Sequence, residues 1–164
     1  MALCSDDDEP MRLAIEASRA AVAAGNMPFG ATLVSPDGRL LWTAQNNQLS
    51  SGDCTGHAEL VLVRDARAAL GDAALRGGTV YASGEPCAMC SGAMFWAGIR
   101  RVVYAASQSD IAAALGGATL PIRSAQVYAG AQPAVAVDGP LQADAAIAVL
   151  QGFGNKVRTA ASSC

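Results

Sequence analysis

The sequence carries little positive charge for its size. A single lysine, Lys156, stands among eleven basic residues, and the net charge is −3. A protein that holds the phosphate backbone of a nucleic acid needs a clustered basic face. The densest basic groups here are the pair Arg100–Arg101 and the segment 156–158. Because two small groups do not make such a face, the composition disfavours a nucleic-acid partner.

The sequence also lacks the features that direct a chain into or across a membrane. No apolar stretch approaches the length of a membrane span. Residues 1–11 are acidic, whereas a signal peptide begins with basic residues followed by an apolar run. We therefore expect a cytoplasmic protein without a membrane partner.

What is present is enough apolar material for one folded domain. Apolar residues make up 52% of the 164 positions and charged residues 15%, a balance typical of compact globular proteins. A chain of this length buries roughly 70% of its unfolded surface. We expect one domain over residues 1–164, with an acidic, flexible N-terminus over residues 1–9.

The order of predicted elements is that of an α/β fold. Hydrophobic periodicity and turn residues predict the following elements in chain order: a helix over 9–25, a hairpin of strands 29–34 and 39–44, a loop over 46–56, a helix over 58–70, a strand over 79–83, a helix over 87–97 and a strand over 101–106. Beyond Ser107 the signal is weaker and predicts a short helix over 111–115, a strand over 135–137 and a closing helix over 141–150. This order predicts a three-layer α/β/α sandwich around a mixed, mostly parallel sheet of about five strands.

Two short motifs in this framework carry chemistry. His57, the sole histidine, lies two residues before Glu59 at the start of a predicted helix, and Pro86, Cys87 and Cys90 form a PCxxC motif at the start of another. Thiolates three residues apart lie on one helical face and can share a metal ion, and one imidazole from the neighbouring helix provides a third ligand. Both predicted helix N-termini also favour negative charge at this point.

Three protein ligands leave the fourth position of a tetrahedral Zn²⁺ open to water, as in catalytic zinc sites. Bound zinc lowers the pKa of water to about 7. Glu59 lies close enough to His57 to exchange a proton with that water without binding the metal. An HxE motif followed by PCxxC is the combination found in zinc deaminases.

On these motifs the sequence resembles the cytidine and deoxycytidylate deaminase superfamily over residues 11–106. The similar segments are PFGA at 28–31, NN at 46–47, GHAE at 56–59 and EPCAMCSGA at 85–93. Within the superfamily the chain is most similar to the free-base and tRNA-type branch, which contains guanine deaminases and related nucleoside deaminases.

The resemblance implies an active site and a reaction. His57, Cys87 and Cys90 would hold one Zn²⁺ per chain with a bound water or hydroxide, which attacks the ring carbon bearing the amine. Glu59 would protonate the neighbouring ring nitrogen and then the departing ammonia. The substrate would be bound by Asn47 and by the backbone around Ala58 and Pro86. Apart from the resemblance, the aromatic rings of Phe29 and Trp96 are candidates to stack on a base, and for Trp96 a contact face is favoured instead.

The implied substrate is a small aminated heterocycle, either a free nucleobase or a nucleoside. A guanine-like purine is narrowly favoured over cytosine. Guanine deaminases carry an acidic pair shortly after the fourth strand, and the matching stretch here, 114–118, has no acid. A tRNA or other polynucleotide is the alternative substrate, although the tRNA enzymes carry basic residues that are scarce here.

Two other interpretations of the same residues stay open. Cys54 with His57, Cys87 and Cys90 has the spacing of a closed, structural zinc site in a non-catalytic protein. The CxxC alone is also compatible with dithiol redox chemistry. Neither interpretation gives Glu59 a role.

Relatives in this branch are commonly dimers, and we expect a homodimer. Phe95, Trp96 and Ile99 recur on one predicted helix and its end, and they are the candidate contact face.

Overall fold

The computed structural model describes residues 5–162, and its first half follows the predicted order of elements. A 3-10 turn (Ser5–Asp7) leads into helix α1 (Asp8–Ala23), and a hairpin of β1 (Gly30–Val34) and β2 (Leu40–Gln45) follows. A four-residue helix, α2 (Gln48–Ser51), interrupts the predicted loop. Then come α3 (Ala58–Leu70), β3 (Thr79–Gly84), α4 (Ala88–Ala97) and β4 (Arg101–Ala106).

The second half contains four more elements. They are α5 (Gln108–Leu115), α6 (Ser124–Val127), β5 (Ala136–Asp138) and α7 (Ala143–Ser162). The weak signals for α5, β5 and α7 are thus confirmed, whereas α6 was not predicted. None of the helices within residues 5–162 is both long and apolar enough to cross a membrane.

The five strands form one mixed sheet in the order β2-β1-β3-β4-β5. β1 pairs antiparallel with both β2 and β3, whereas β3 with β4 and β4 with β5 are parallel pairs. The sheet is therefore evenly mixed and not mostly parallel as expected. The hairpin makes β1 antiparallel to β2, and the connection through α3 brings β3 back parallel to β2 on the other side of β1, so both pairings of β1 are antiparallel.

Alternating side chains on the strands divide the core into two layers. Leu33, Val80 and Val102 pack with buried residues of α3 and α4 on one face of the sheet. Their neighbours Val34, Tyr81 and Val103 pack with α1, α5 and α7 on the other face. This period of two is what a sheet covered on both faces requires, and it confirms the three-layer architecture.

A buried ion-pair cluster ties the N-terminal turn to the sheet. The guanidinium of Arg101 donates from Nη1 to Asp7 Oδ1 at 2.7 Å and from Nε to Asp138 Oδ2 at 2.7 Å. The Tyr81 hydroxyl also donates to Asp7 Oδ1, at 2.6 Å. The segment expected to be flexible is residues 1–9, of which residues 1–4 lie outside the described part. The 3-10 turn that follows is held in place by Asp7, which is buried.

Candidate active site

Two helices begin side by side at the carboxyl end of β3. His57 is the N-cap residue of α3, and Cys87 is the N-cap residue of α4. Both have extended backbone dihedrals, so each side chain lies just ahead of its helix, while Cys90 follows within the first turn of α4. Since each helix N-terminus carries roughly half a positive charge, the two ends together favour anionic groups.

The three predicted ligands lie within 4.8 Å of one another. The Cys87 and Cys90 sulfurs are 3.7 Å apart, and His57 Nδ1 lies 3.7 Å from Cys87 Sγ and 3.5 Å from Cys90 Sγ. Tetrahedral coordination with zinc bond lengths of about 2.3 Å to sulfur and about 2.0 Å to nitrogen requires a sulfur–sulfur separation of about 3.8 Å and a sulfur–nitrogen separation of about 3.5 Å. The donor set therefore fits a tetrahedral Zn²⁺.

The electrostatics of the two thiols also call for a cation. The hydrogen bond with Cys90, and then that with His57, lowers the pKa of Cys87 to about 4, whereas the contact with Cys87 and burial raise the pKa of Cys90. The interaction with Cys87 likewise raises the pKa of His57. A divalent metal ion between the two sulfurs would stabilise both of them as thiolates.

No third cysteine joins this group as a fourth ligand in the described part of the chain. Cys54, the additional ligand of a closed structural site, is exposed and lies outside the metal-binding group. A three-ligand group is the arrangement of an open, catalytic type of site.

Glu59 is buried next to the ligands and faces the same cavity. Only 7% of the residue is exposed, and its Oε2 lies 3.5 Å from Cys90 Sγ. Burial raises the pKa of Glu59 to about 7. A carboxyl group with this pKa can both accept and release a proton near neutral pH.

A cavity of about 470 Å³ opens in front of these residues. Phe29 and Gly84 form part of its wall together with His57, Glu59 and Cys87. A Cβ at Gly84 would lie 2.9 Å from side-chain atoms of both Phe29 and Ile111. Glycine at this position therefore allows both side chains to pack closely against β3. The volume lies in the range of small-molecule sites.

The predicted substrate-binding residues are distributed unevenly around this cavity. Phe29 lines the cavity, whereas Asn47, Ala58 and Pro86 do not. Ala58 and Pro86 are buried. The Oδ1 atom of Asn47 is buried without a hydrogen-bond partner, and Gly56 leaves space for it, because a Cβ there would lie only 2.3 Å away.

The remaining walls come from residues that the sequence did not single out. They belong to α5, to Glu85, and to the segment 116–123, which we call the wall segment. Burial alone would raise the pKa of Glu85, but hydrogen bonds from Arg123 and from the Gln108 backbone outweigh it, and the pKa lies below its usual value. One local pattern in the sequence could have located this wall. Ser107-x-x-Asp110 is typical of a helix start and marks the beginning of α5.

Residues 4–106 match the family model described as the cytidine and deoxycytidylate deaminase zinc-binding region. The chain is 36% identical over 147 residues to a probable cytosine deaminase of Schizosaccharomyces pombe, with 87% of this chain and 89% of that protein covered. It is 45% identical over 87 residues to a guanine deaminase of Bacillus subtilis, covering 53% of this chain and 55% of that protein.

Other similar proteins differ in length and in bound ligand. The chain is 38% identical over 151 residues to a tRNA(Ile)-lysidine synthase of Deinococcus deserti, covering 92% of this chain but spanning only 27% of that protein. Among solved structures, a mutant of the protein NE0047 in complex with 8-azaguanine superimposes with a TM-score of 0.81 at 27% identity. That match covers 95% of this chain and 87% of the other.

Proposed function

The chain belongs to the cytidine and deoxycytidylate deaminase family, and we propose that it deaminates a small aminated heterocycle by hydrolysis. This family consists of hydrolases that act on C–N bonds in cyclic amidines. In this reaction one water is consumed, the bond from the ring carbon to the exocyclic amine breaks, a carbonyl forms and ammonia leaves. The observation that carries the proposal is Glu59, a buried carboxyl group beside the three-ligand group and facing the cavity.

His57, Cys87 and Cys90 hold the Zn²⁺ in this proposal, one ion per chain. When bound, the ion supplies Lewis acidity that lowers the pKa of water to about 7. The two helix N-termini stabilise the anionic ligands around it.

Glu59 moves the protons in this proposal. Its carboxylate accepts a proton from water, then donates it to the ring nitrogen next to the reacting carbon, and a second transfer of the same kind delivers a proton to the leaving amine. The raised pKa of Glu59, about 7, suits a group that must be both base and acid.

Substitution of the carboxyl group by an isosteric amide tests this role. Glu59→Gln should keep its zinc, measured by elemental analysis, and its fold, measured by circular dichroism, while ammonia release falls by about 10²-fold or more. Glu16→Gln, on the exposed face of α1, is the matched control and should release ammonia at the wild-type rate. Full activity in Glu59→Gln would refute the role.

For the substrate we propose a guanine-like purine first and cytosine next, as a free base or a nucleoside. The support is the likeness to a guanine deaminase, to a probable cytosine deaminase and to a protein that binds 8-azaguanine. Phe29 lines the cavity, and in this proposal it contacts the face of the ring. We also propose Asn47 and the backbone at Ala58 and Pro86 as substrate contacts, on the family resemblance alone, because none of the three lines the cavity.

A polynucleotide substrate is distinguished from a small base by salt. Each phosphate contact releases counterions, so binding of a tRNA weakens steeply as salt rises, whereas binding of a neutral base hardly responds. With a net charge of −3, we expect KM for the heterocycle to change less than about twofold between 50 and 200 mM salt. If the protein binds a tRNA and the affinity for that tRNA falls by about 10³-fold over the same salt range, the polynucleotide substrate is supported instead.

We further propose that the protein is a homodimer in which Trp96 lies at the contact. Trp96 is 85% exposed, and its ring meets the edge of Phe95 with 5.1 Å between ring centroids. Ile99, the third residue of the expected face, is fully buried in the core instead and does not take part.

A further inference from the structure

Glu85 is the residue at which the start of α5 and the C-terminal end of the wall segment meet the metal-binding motif. It directly follows β3 and precedes Cys87 by two positions. Its side chain is only 2% exposed. A carboxylate buried to this extent is unfavourable unless donors surround it.

The donors come from both sides of the cavity wall. From the start of α5, the Gln108 backbone N–H donates to Glu85 Oε2 at 3.0 Å. From the other side, Arg123 Nε donates to Oε2 at 2.7 Å and Nη2 lies 2.7 Å from the same oxygen. The Ser124 backbone N–H and hydroxyl reach Oε1 at 3.3 and 3.1 Å. One carboxylate thus closes the chain from residue 108 to residue 124 into a loop.

The wall segment between these contacts has little support of its own. It contains neither helix nor strand, and its internal backbone bond joins Ile122 N–H to the Leu120 carbonyl at 2.8 Å. A second brace, from Gln108 Nε2 to the Ile122 carbonyl at 2.9 Å, begins on a residue that Glu85 itself holds. Leu120 lines the cavity although 66% of it is exposed. The position of this wall therefore depends on its two ends.

We propose that Glu85 is a positioning residue that holds the wall segment over the cavity and thereby sets the affinity and selectivity for the heterocycle. This role rests on the proposed deaminase function for its substrate, but the brace itself is a property of the chain. A charged carboxylate suits the task because its two oxygens accept about four hydrogen bonds, whereas an amide has a single acceptor oxygen. Arg123 contributes a planar fork that a lysine cannot replace.

Loss of a purely structural ion pair would lower the stability of the fold without affecting the cavity. The chain contains such a pair for comparison. Asp138 and Arg101 are joined by a 2.7 Å bond and are nearly as buried, with 12% and 11% of their side chains exposed. Neither residue lines the cavity. Asp138→Asn is therefore the matched control for Glu85→Gln.

The test compares both variants, zinc-loaded, with the wild type in steady-state kinetics and hydrogen exchange. For Glu85→Gln we expect KM to rise about tenfold while kcat stays within about twofold, because the wall binds substrate but does not move protons. The hydrogen-bonded backbone amides of Gln108, Ile122 and Ser124 should exchange about tenfold faster. Asp138→Asn should lower the melting temperature and leave KM and the exchange of these amides unchanged.

If Glu85→Gln does not fold, Arg123→Lys is tested in its place. This variant keeps the positive charge but loses the planar guanidinium fork, and we expect the same rise in KM and in amide exchange. Unchanged KM together with unchanged exchange in the folded variant would overturn the positioning role, as would equal effects in Asp138→Asn. If the wild type releases no ammonia from any heterocycle, the proposed function fails. The exchange rates of the Gln108, Ile122 and Ser124 amides then still decide whether Glu85 holds the wall.

Discussion

Two cysteines near the metal centre differ sharply in burial. Cys90 is fully buried with its sulfur 3.5 Å from His57 Nδ1, whereas Cys54, three residues before His57, is exposed. This difference separates an open three-ligand site from a closed four-ligand one.

The pair Cys90→Ser and Cys54→Ser tests the ligand set. Because a buried thiolate is lost, Cys90→Ser should abolish zinc binding at equimolar metal, measured by elemental analysis after gel filtration. Cys54→Ser should retain one zinc per chain. Loss of zinc in both variants, with circular dichroism unchanged, would favour the structural Cys₃His site.

Among individual residues, the sequence predicted those contacts of the site whose partners lie in short motifs. His57, Glu59, Cys87 and Cys90 are brought together as expected, because both motifs cap helices at one edge of the sheet. Glu85 and its partner Arg123 escaped prediction. They lie 38 positions apart, and Arg123 belongs to the stretch 116–123, which has neither helical nor strand periodicity.

Among the elements, α5 carries a complete capping box that fixes where the cavity wall begins. The Ser107 hydroxyl accepts from the Asp110 backbone N–H at 3.2 Å, and the Asp110 carboxylate accepts from the Ser107 N–H at 2.9 Å. These contacts satisfy donors that the first turn of a helix otherwise leaves unpaired.

Removal of this cap should weaken the fold measurably. Ser107→Ala should lower the free energy of unfolding by about 1 kcal/mol, measured by urea denaturation. Ser162→Ala, at an exposed serine at the end of α7, should change it by less than about 0.5 kcal/mol. Equal stability of the two variants would show that the cap contributes nothing.

The element boundaries show where pattern reading succeeds and where tertiary contacts override it. Helix α3 occupies Ala58–Leu70, as predicted, because its apolar spacing ends at a glycine. Helix α7 continues to Ser162 past the predicted end at Leu150. Gly154 lies inside it, where a Cβ would come within 2.3 Å of the Ala114 carbonyl. The glycine therefore allows α7 to pack against α5, and does not end the helix.

Considered as a whole, the molecule carries a large aromatic side chain on its surface. Trp96 protrudes beside Phe95, and the Arg100 guanidinium lies 5.7 Å from the centre of the Phe95 ring. An aromatic side chain buries about 150–250 Å² when it is covered. The exposed ring therefore supports the homodimer proposed above.

Analytical ultracentrifugation tests the assembly. The wild type should sediment as a dimer, and Trp96→Glu should shift it to the monomer, because a charge replaces the apolar anchor. Leu70→Glu, at an exposed leucine on the end of α3, should leave the dimer intact. A monomeric wild type at micromolar concentration would contradict the proposal.

Hydrolytic deamination requires that the new carbonyl oxygen come from solvent while the amine leaves as ammonia. The most direct measurement therefore incubates the zinc-loaded protein with guanine, cytosine, adenine and their nucleosides in oxygen-labelled water, and follows ammonia together with the mass of the product. One base of the panel should yield equimolar ammonia and a product carrying one labelled oxygen, with neither formed by Glu59→Gln. A folded, zinc-loaded protein that leaves every member of the panel unchanged, or a product without the label, would contradict the account.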